Sequence, residues 1–96
     1  MLESMEQKAQ KLNYSLLPAE PIESLVRLLM FGAIKYQADG WKNYTDPKVF
    51  INALERHTAA LKKGELIDPE TGESHYTAIM FNASFLEWHR LKAGVK

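Results

Sequence analysis

Twelve residues in the second half of the chain, Gly64 to His75 (GELIDPETGESH), hold four carboxylates, one imidazole, two glycines and no basic group. Carboxylate oxygens and imidazole nitrogens are the ligands a magnesium- or manganese-type ion accepts, and such ions bridge phosphate oxygens. Glu65 and Asp68 lie close before His75, and one helix turn back from Gly64 leads toward Ala60 and His57. A pocket built from these groups suits a diphosphate or triphosphate. DPETG also reads as an ordinary turn, with Asp68 capping and Gly72 left-handed. On that reading Glu70 and Glu73 face solvent, while Glu65 and Asp68 remain open to either role.

Positive and aromatic groups stand near enough in sequence to complete an anion site. Lys35 and Tyr36 close one helical stretch, Trp41 follows in a loop, and Arg56 adjoins His57. Arg56 has the planar fork that fits phosphate, and Trp41 or Tyr36 has a face on which a base can stack. No Walker-type GxxxxGK, GxGxxG, HExxH or serine nucleophile elbow occurs.

Three helices must position these groups, over about 20–36, 47–63 and 75–92, in an all-α bundle. Pro21 is acceptable in the opening turn of the first, where Ile22, Leu25, Val26 and Leu29 recur at helical spacing. Asp46 before Pro47 forms a cap and first residue for the second, which stops at Gly64. Ser74 caps the third, and Gly94 lies beyond its end. Nothing alternates at period two. Residues 1–15 read as an arm or a short extra helix, and 16–96 as one helical nucleotide-binding domain.

Two of the helices carry polar residues on apolar stripes. Phe50, Ala53, Leu54, His57 and Leu61 share a face of the second, and His75, Ala78, Ile79, Asn82 and Leu86 share a face of the third. If both stripes face inward, His57, His75 and Asn82 need hydrogen-bond partners, because an unpaired buried polar group costs roughly 1–3 kcal/mol. Ala78 through Leu91 also places apolar residues on nearly every face of the third helix, which calls for enclosure by neighbours.

The 96 residues allow one small domain with a thin core, so a homo-oligomer is expected. Zero net charge gives no global field toward nucleic-acid polymers or anionic membranes. Absence of cysteine excludes disulfides and thiolate chemistry. No apolar run approaches the roughly 18 residues of a membrane span, and the acidic start is unlike a signal peptide. The expected location is the cytoplasm.

Several blocks taken together resemble a known family: KLNYSLLP at 11–18, FGAIKY at 31–36, Trp41, ALERH at 53–57, GELIDPETGESH at 64–75 and NASFL at 82–86. In order and spacing they are similar to the phage-type dATP/dGTP diphosphohydrolase N-terminal domain, a relative of the MazG-like all-helical nucleotide pyrophosphohydrolases. The resemblance implies a helical, oligomeric phage or prophage protein. Such a protein recognises a purine nucleotide and, with Mg2+ or Mn2+, splits a nucleoside triphosphate into monophosphate and pyrophosphate. The matching positions imply Lys35, Tyr36, Trp41, Arg56 and Asn82 near the substrate, and His57, Glu65, Asp68 and His75 at the metal. Asn13, Ser15 and Ala78 depart from the family's usual residues, and its paired ExxE pattern is met loosely by Glu20 with Glu23 and Glu65 with Asp68.

On the enzyme reading Glu23, or else Glu55, activates the attacking water. The alternatives are a nucleotide-sequestering protein without turnover, and a structural homo-oligomer whose histidines only satisfy the core.

Overall fold

The computed structural model describes residues 11–94. A single 3-10 turn, Tyr14–Leu16, leads into three α-helices: α1 (Ala19–Lys35), α2 (Pro47–Lys62) and α3 (His75–Ala93). A second 3-10 turn, Gly40–Asn43, lies between α1 and α2. Among the described residues there is no strand, and Ile67 and Ser74 form one isolated antiparallel bridge. The expected all-α bundle is therefore the observed fold. The reading of residues 1–15 as an arm or helix falls mostly on 1–10, outside the described residues; within 11–15 the chain enters the 3-10 turn.

Helix boundaries follow local chemistry. The Asp46 side chain accepts from Lys48 N at 3.0 Å, and Pro47 occupies a first-turn position that has no amide bond to lose. At the other end of α2, Gly64 N donates to Leu61 O (2.9 Å) and Glu65 N to Ala60 O (3.0 Å), a Schellman turn that requires the positive φ (88°) glycine tolerates. That turn folds Glu65 back toward the helix it has just left. Ser74 caps α3 by accepting from Thr77 N at 3.2 Å, and Gly94 ends it with φ 72°.

Helix α3 is the central element, packed on α2 along one side and on α1 along another. Phe50, Ala78, Phe85 and Leu28 form the buried apolar core, one or two residues from each helix. Trp41 from the second 3-10 turn stacks on Phe85 (centroids 4.0 Å apart, planes 8°), and Phe50 and Phe81 meet the same ring edge-on. His89 bonds Trp41 O at 3.2 Å and ties the turn down. Enclosure of α3 is incomplete, since Tyr76 and Leu91 are 59% and 62% exposed. No helix among the described residues is long and apolar enough to cross a membrane.

Candidate functional site

The two polar-bearing stripes do meet. His57, on the inward face of α2, and His75, at the first position of α3, bring their Nδ1 atoms to 2.8 Å. On its other nitrogen His75 donates to Glu65: Nε2 and Oε2 are 2.8 Å apart. The carboxylate can only accept, so it fixes the proton of neutral His75 on Nε2 and leaves the Nδ1 lone pair facing His57. His75 is buried and Glu65 half exposed, so the carboxylate holds the imidazole from the solvent side.

Asp68 completes the group. One ligand atom each from His57, Asp68 and His75 lies within 4.8 Å of the others. The loop holds Asp68 there by its own turn: one oxygen accepts from Glu70 N (2.9 Å), Asp68 O accepts from Gly72 N (2.8 Å), and Gly72 takes a φ of 77°. Turn chemistry and a free second carboxylate oxygen therefore coexist in one residue. Burial first, and the neighbouring His75 second, hold the His57 imidazole below its ordinary value of 6.5. His57 is thus neutral near pH 7; its Nδ1–H donates to the His75 Nδ1 lone pair, and a cation held by both rings would displace that proton.

His57 and Asp68 line a cavity of about 860 Å3 bounded by all three helices and the 3-10 turn, and His75 adjoins it through His57. Arg56, Asn82, Tyr36 and Trp41 line it with His57 and Asp68. Asn82 is buried, and its Nδ2 donates to Ala78 O at 2.8 Å within α3, which leaves its Oδ1 for a ligand. Trp41 Nε1 is buried without a hydrogen-bond partner. One face of the Trp41 indole is laid against Phe85.

The remaining expected residues are placed differently. Glu65 stands behind His75 rather than within the trio. Lys35 pairs with Glu70, which raises the lysine pKa, and neither Glu23 nor Glu55 lines the cavity. Glu55 borders a separate shallow groove with Leu54 and Lys62. Of the two carboxylates expected to face solvent, Glu70 does, with its side chain 55% exposed, whereas Glu73 is only 17% exposed. Arg27 Nε and a terminal nitrogen grip Glu73 at 2.9 and 3.0 Å, and this bonding holds the carboxyl below its ordinary value. Both pairs strap the acidic connection to α1. Their partners lie 46 and 35 residues away in sequence, beyond any local pattern.

Ala78, Phe81 and Phe85 on α3 line the cavity beside Asn82. The apolar stripe of α3 signalled them as core, and the same spacing that buries them makes them wall.

No curated protein and no solved structure matches the chain. The family model described as dATP/dGTP diphosphohydrolase, N-terminal, matches residues 3–95. With nearly its whole length covered, the chain belongs to the dATP/dGTP diphosphohydrolase N-terminal family.

Proposed function

We propose that the protein is a metal-dependent diphosphohydrolase of purine deoxynucleoside triphosphates, releasing monophosphate and pyrophosphate. The observation that carries this reading is the convergence of His57, Asp68 and His75, the first two of which line a cavity large enough for a nucleotide. Family membership supports the hydrolase class.

The donor set fits a divalent cation. Two imidazoles and one carboxylate leave positions open for phosphate oxygens and water, and Glu65 supplies the outer carboxylate that metal-bound histidines usually carry. Two nitrogen donors favour Mn2+ over Mg2+, which prefers oxygen. Bound there, the ion would neutralise and polarise the phosphates.

The chain's own groups do the rest. Arg56 forks onto a phosphate, and Asn82 Oδ1 accepts from a donor on the base. The buried Trp41 Nε1 gains an acceptor when the ligand enters, removing an unpaired donor that costs roughly 1–3 kcal/mol. With Glu23 and Glu55 outside the cavity, Asp39 and Glu70 are the lining carboxylates outside the trio, and we assign the proton from water to Glu70 because its N–H bonds Asp68 and so sets it beside the trio. Lys35 orients it.

Incubation with each dNTP and Mn2+ or Mg2+, with pyrophosphate as readout, tests the reading. Turnover lost in Asp68→Asn and in Glu70→Gln supports it. Tight nucleotide binding with no pyrophosphate in the wild type would replace it with the sequestering alternative.

A further inference from the structure

The cavity extends along α3, and its chemistry changes on the way. His57 and Asp68 line it where His57 meets His75 at the start of the helix. Trp41 lines it where the indole stacks on Phe85, ten residues further along α3, which is roughly 15 Å at 1.5 Å per residue. A nucleotide laid along the cavity with its phosphates at the trio therefore brings its base to the 3-10 turn Gly40–Asn43.

Asp39, immediately before that turn, lines the cavity and is not explained by the fold. It is the only non-glycine residue with a positive φ (60°) among those described, a conformation that glycine adopts without strain. It holds the N-cap position, where an aspartate usually accepts a backbone bond, yet its side chain accepts none there. Its ion pair with Lys42, at 3.4 Å, is exposed and contributes little. A carboxylate is repelled by polyphosphate, so at the base end of the cavity its use is to accept from donors.

Three groups there have a single hydrogen-bonding sense. Asp39 accepts. Asn82 presents Oδ1, because its amide nitrogen is committed to Ala78 O, and Trp41 Nε1 only donates and is buried unpaired. Gln37 and Asn43 also line the cavity, but a primary amide serves either sense and does not discriminate. Two acceptors and one donor complement guanine, whose N1–H and N2–H2 stand beside the O6 acceptor. Adenine has one amino donor and would turn its bare N1 toward the carboxylate.

We propose that Asp39 selects guanine over adenine, its carboxylate accepting from N1–H and N2–H2 while Trp41 Nε1 donates to O6. This rests on the nucleotide reading above and narrows it to one base. The test is calorimetric titration of the full chain, with Mn2+ present, by the α,β-methylene analogues of dGTP and dATP, which bind without being split. The wild type should bind the guanine analogue tighter by about tenfold or more. Asp39→Asn keeps a residue that tolerates the left-handed backbone and supplies the amide that pairs with adenine's amino group and a neighbouring ring nitrogen. Its ratio should fall to one or invert. Asp39→Gly should melt close to the wild type, since glycine suits the backbone, and should lose the preference as well. If Asp39→Asn does not fold, the glycine ratio decides. A purely conformational role for Asp39 leaves the wild-type ratio in both variants, and that result overturns the proposal. So does a wild type that binds the two analogues alike or favours adenine, although the nucleotide reading survives it. Binding of neither analogue overturns both.

Discussion

Glu65 Oε2 lies 2.8 Å from Nε2 of His75, so a half-exposed carboxylate dictates which nitrogen of a buried imidazole is free. Binding of a cation at His57, Asp68 and His75 needs the His75 Nδ1 lone pair, and that lone pair exists only while Nε2 keeps the proton. Removing the carboxylate should therefore weaken the site without touching the fold. We expect Glu65→Ala to lower Mn2+ affinity by about 10–100-fold, with thermal unfolding of the metal-free protein little changed. Calorimetric titration with Mn2+ reads the first and a melting curve the second. An affinity equal to the wild type's would remove Glu65 from the site.

The depressed His57 pKa gives a pH dependence of defined sign. Between the lowered folded value and the ordinary 6.5 of the unfolded chain, the unfolded state binds more protons, so stability is full above about 6.5 and declines as pH falls below it. Cation binding competes with the same proton and should weaken over the same window. Denaturant titrations from pH 8 to pH 5 should show this decline in the wild type and a shallower one in His57→Gln. Equal slopes in the two proteins would show that His57 is not the group responsible.

What could be read from the sequence divides by distance along the chain. Asp46, Ser74 and the Gly64 turn set helix ends through bonds spanning five residues or fewer, and those ends fall within a residue or two of expectation. His57 and His75 were also legible, because helical spacing put each on an inward face and the short connection forced the faces together. The ion-pair partners of Glu70 and Glu73 are not legible, since Lys35 and Arg27 reach them only after α1 docks, and docking register leaves no mark in a local pattern. Trp41 lines the cavity, while the stack of one indole face on Phe85, 44 residues on, depends on tertiary packing in the same way.

That stack predicts where stability is concentrated. Phe85 is 6% exposed and meets Trp41, Phe50 and Phe81 at once, joining the 3-10 turn to α2 and α3. We expect Phe85→Ala to cost about 3–5 kcal/mol in urea unfolding, and Phe85→Leu clearly less. A loss under 1 kcal/mol for the alanine would mean the aromatic cluster is not the structural centre.

Arg27 and Glu73 lie at the surface, so their pair adds little to global stability and acts on position instead. It anchors the connection that carries Asp68. Arg27→Ala should leave the melting temperature close to wild type while weakening Mn2+ binding severalfold, because the loop samples positions in which Asp68 is away from the histidines. The exchange Arg27→Glu with Glu73→Arg should restore most of the affinity. Failure of that rescue, with both single variants impaired, would indicate that the two residues act separately.

Glu55 and Arg56 are adjacent on α2, yet a helix turns about 100° between neighbours and sends them to different surfaces. Arg56 lines the large cavity with His57, whereas Glu55 borders the shallow outer groove. Their substitutions should separate accordingly. Arg56→Ala should weaken triphosphate binding by about tenfold or more through loss of a charge-assisted contact, with Mn2+ affinity retained because Arg56 donates nothing to the cation. Arg56→Lys should recover only part, since a point charge replaces a fork. Glu55→Gln should behave as wild type in both measurements. If Glu55→Gln abolished turnover while Arg56→Ala left nucleotide binding intact, the face of α2 that serves the substrate would have to be the outer one.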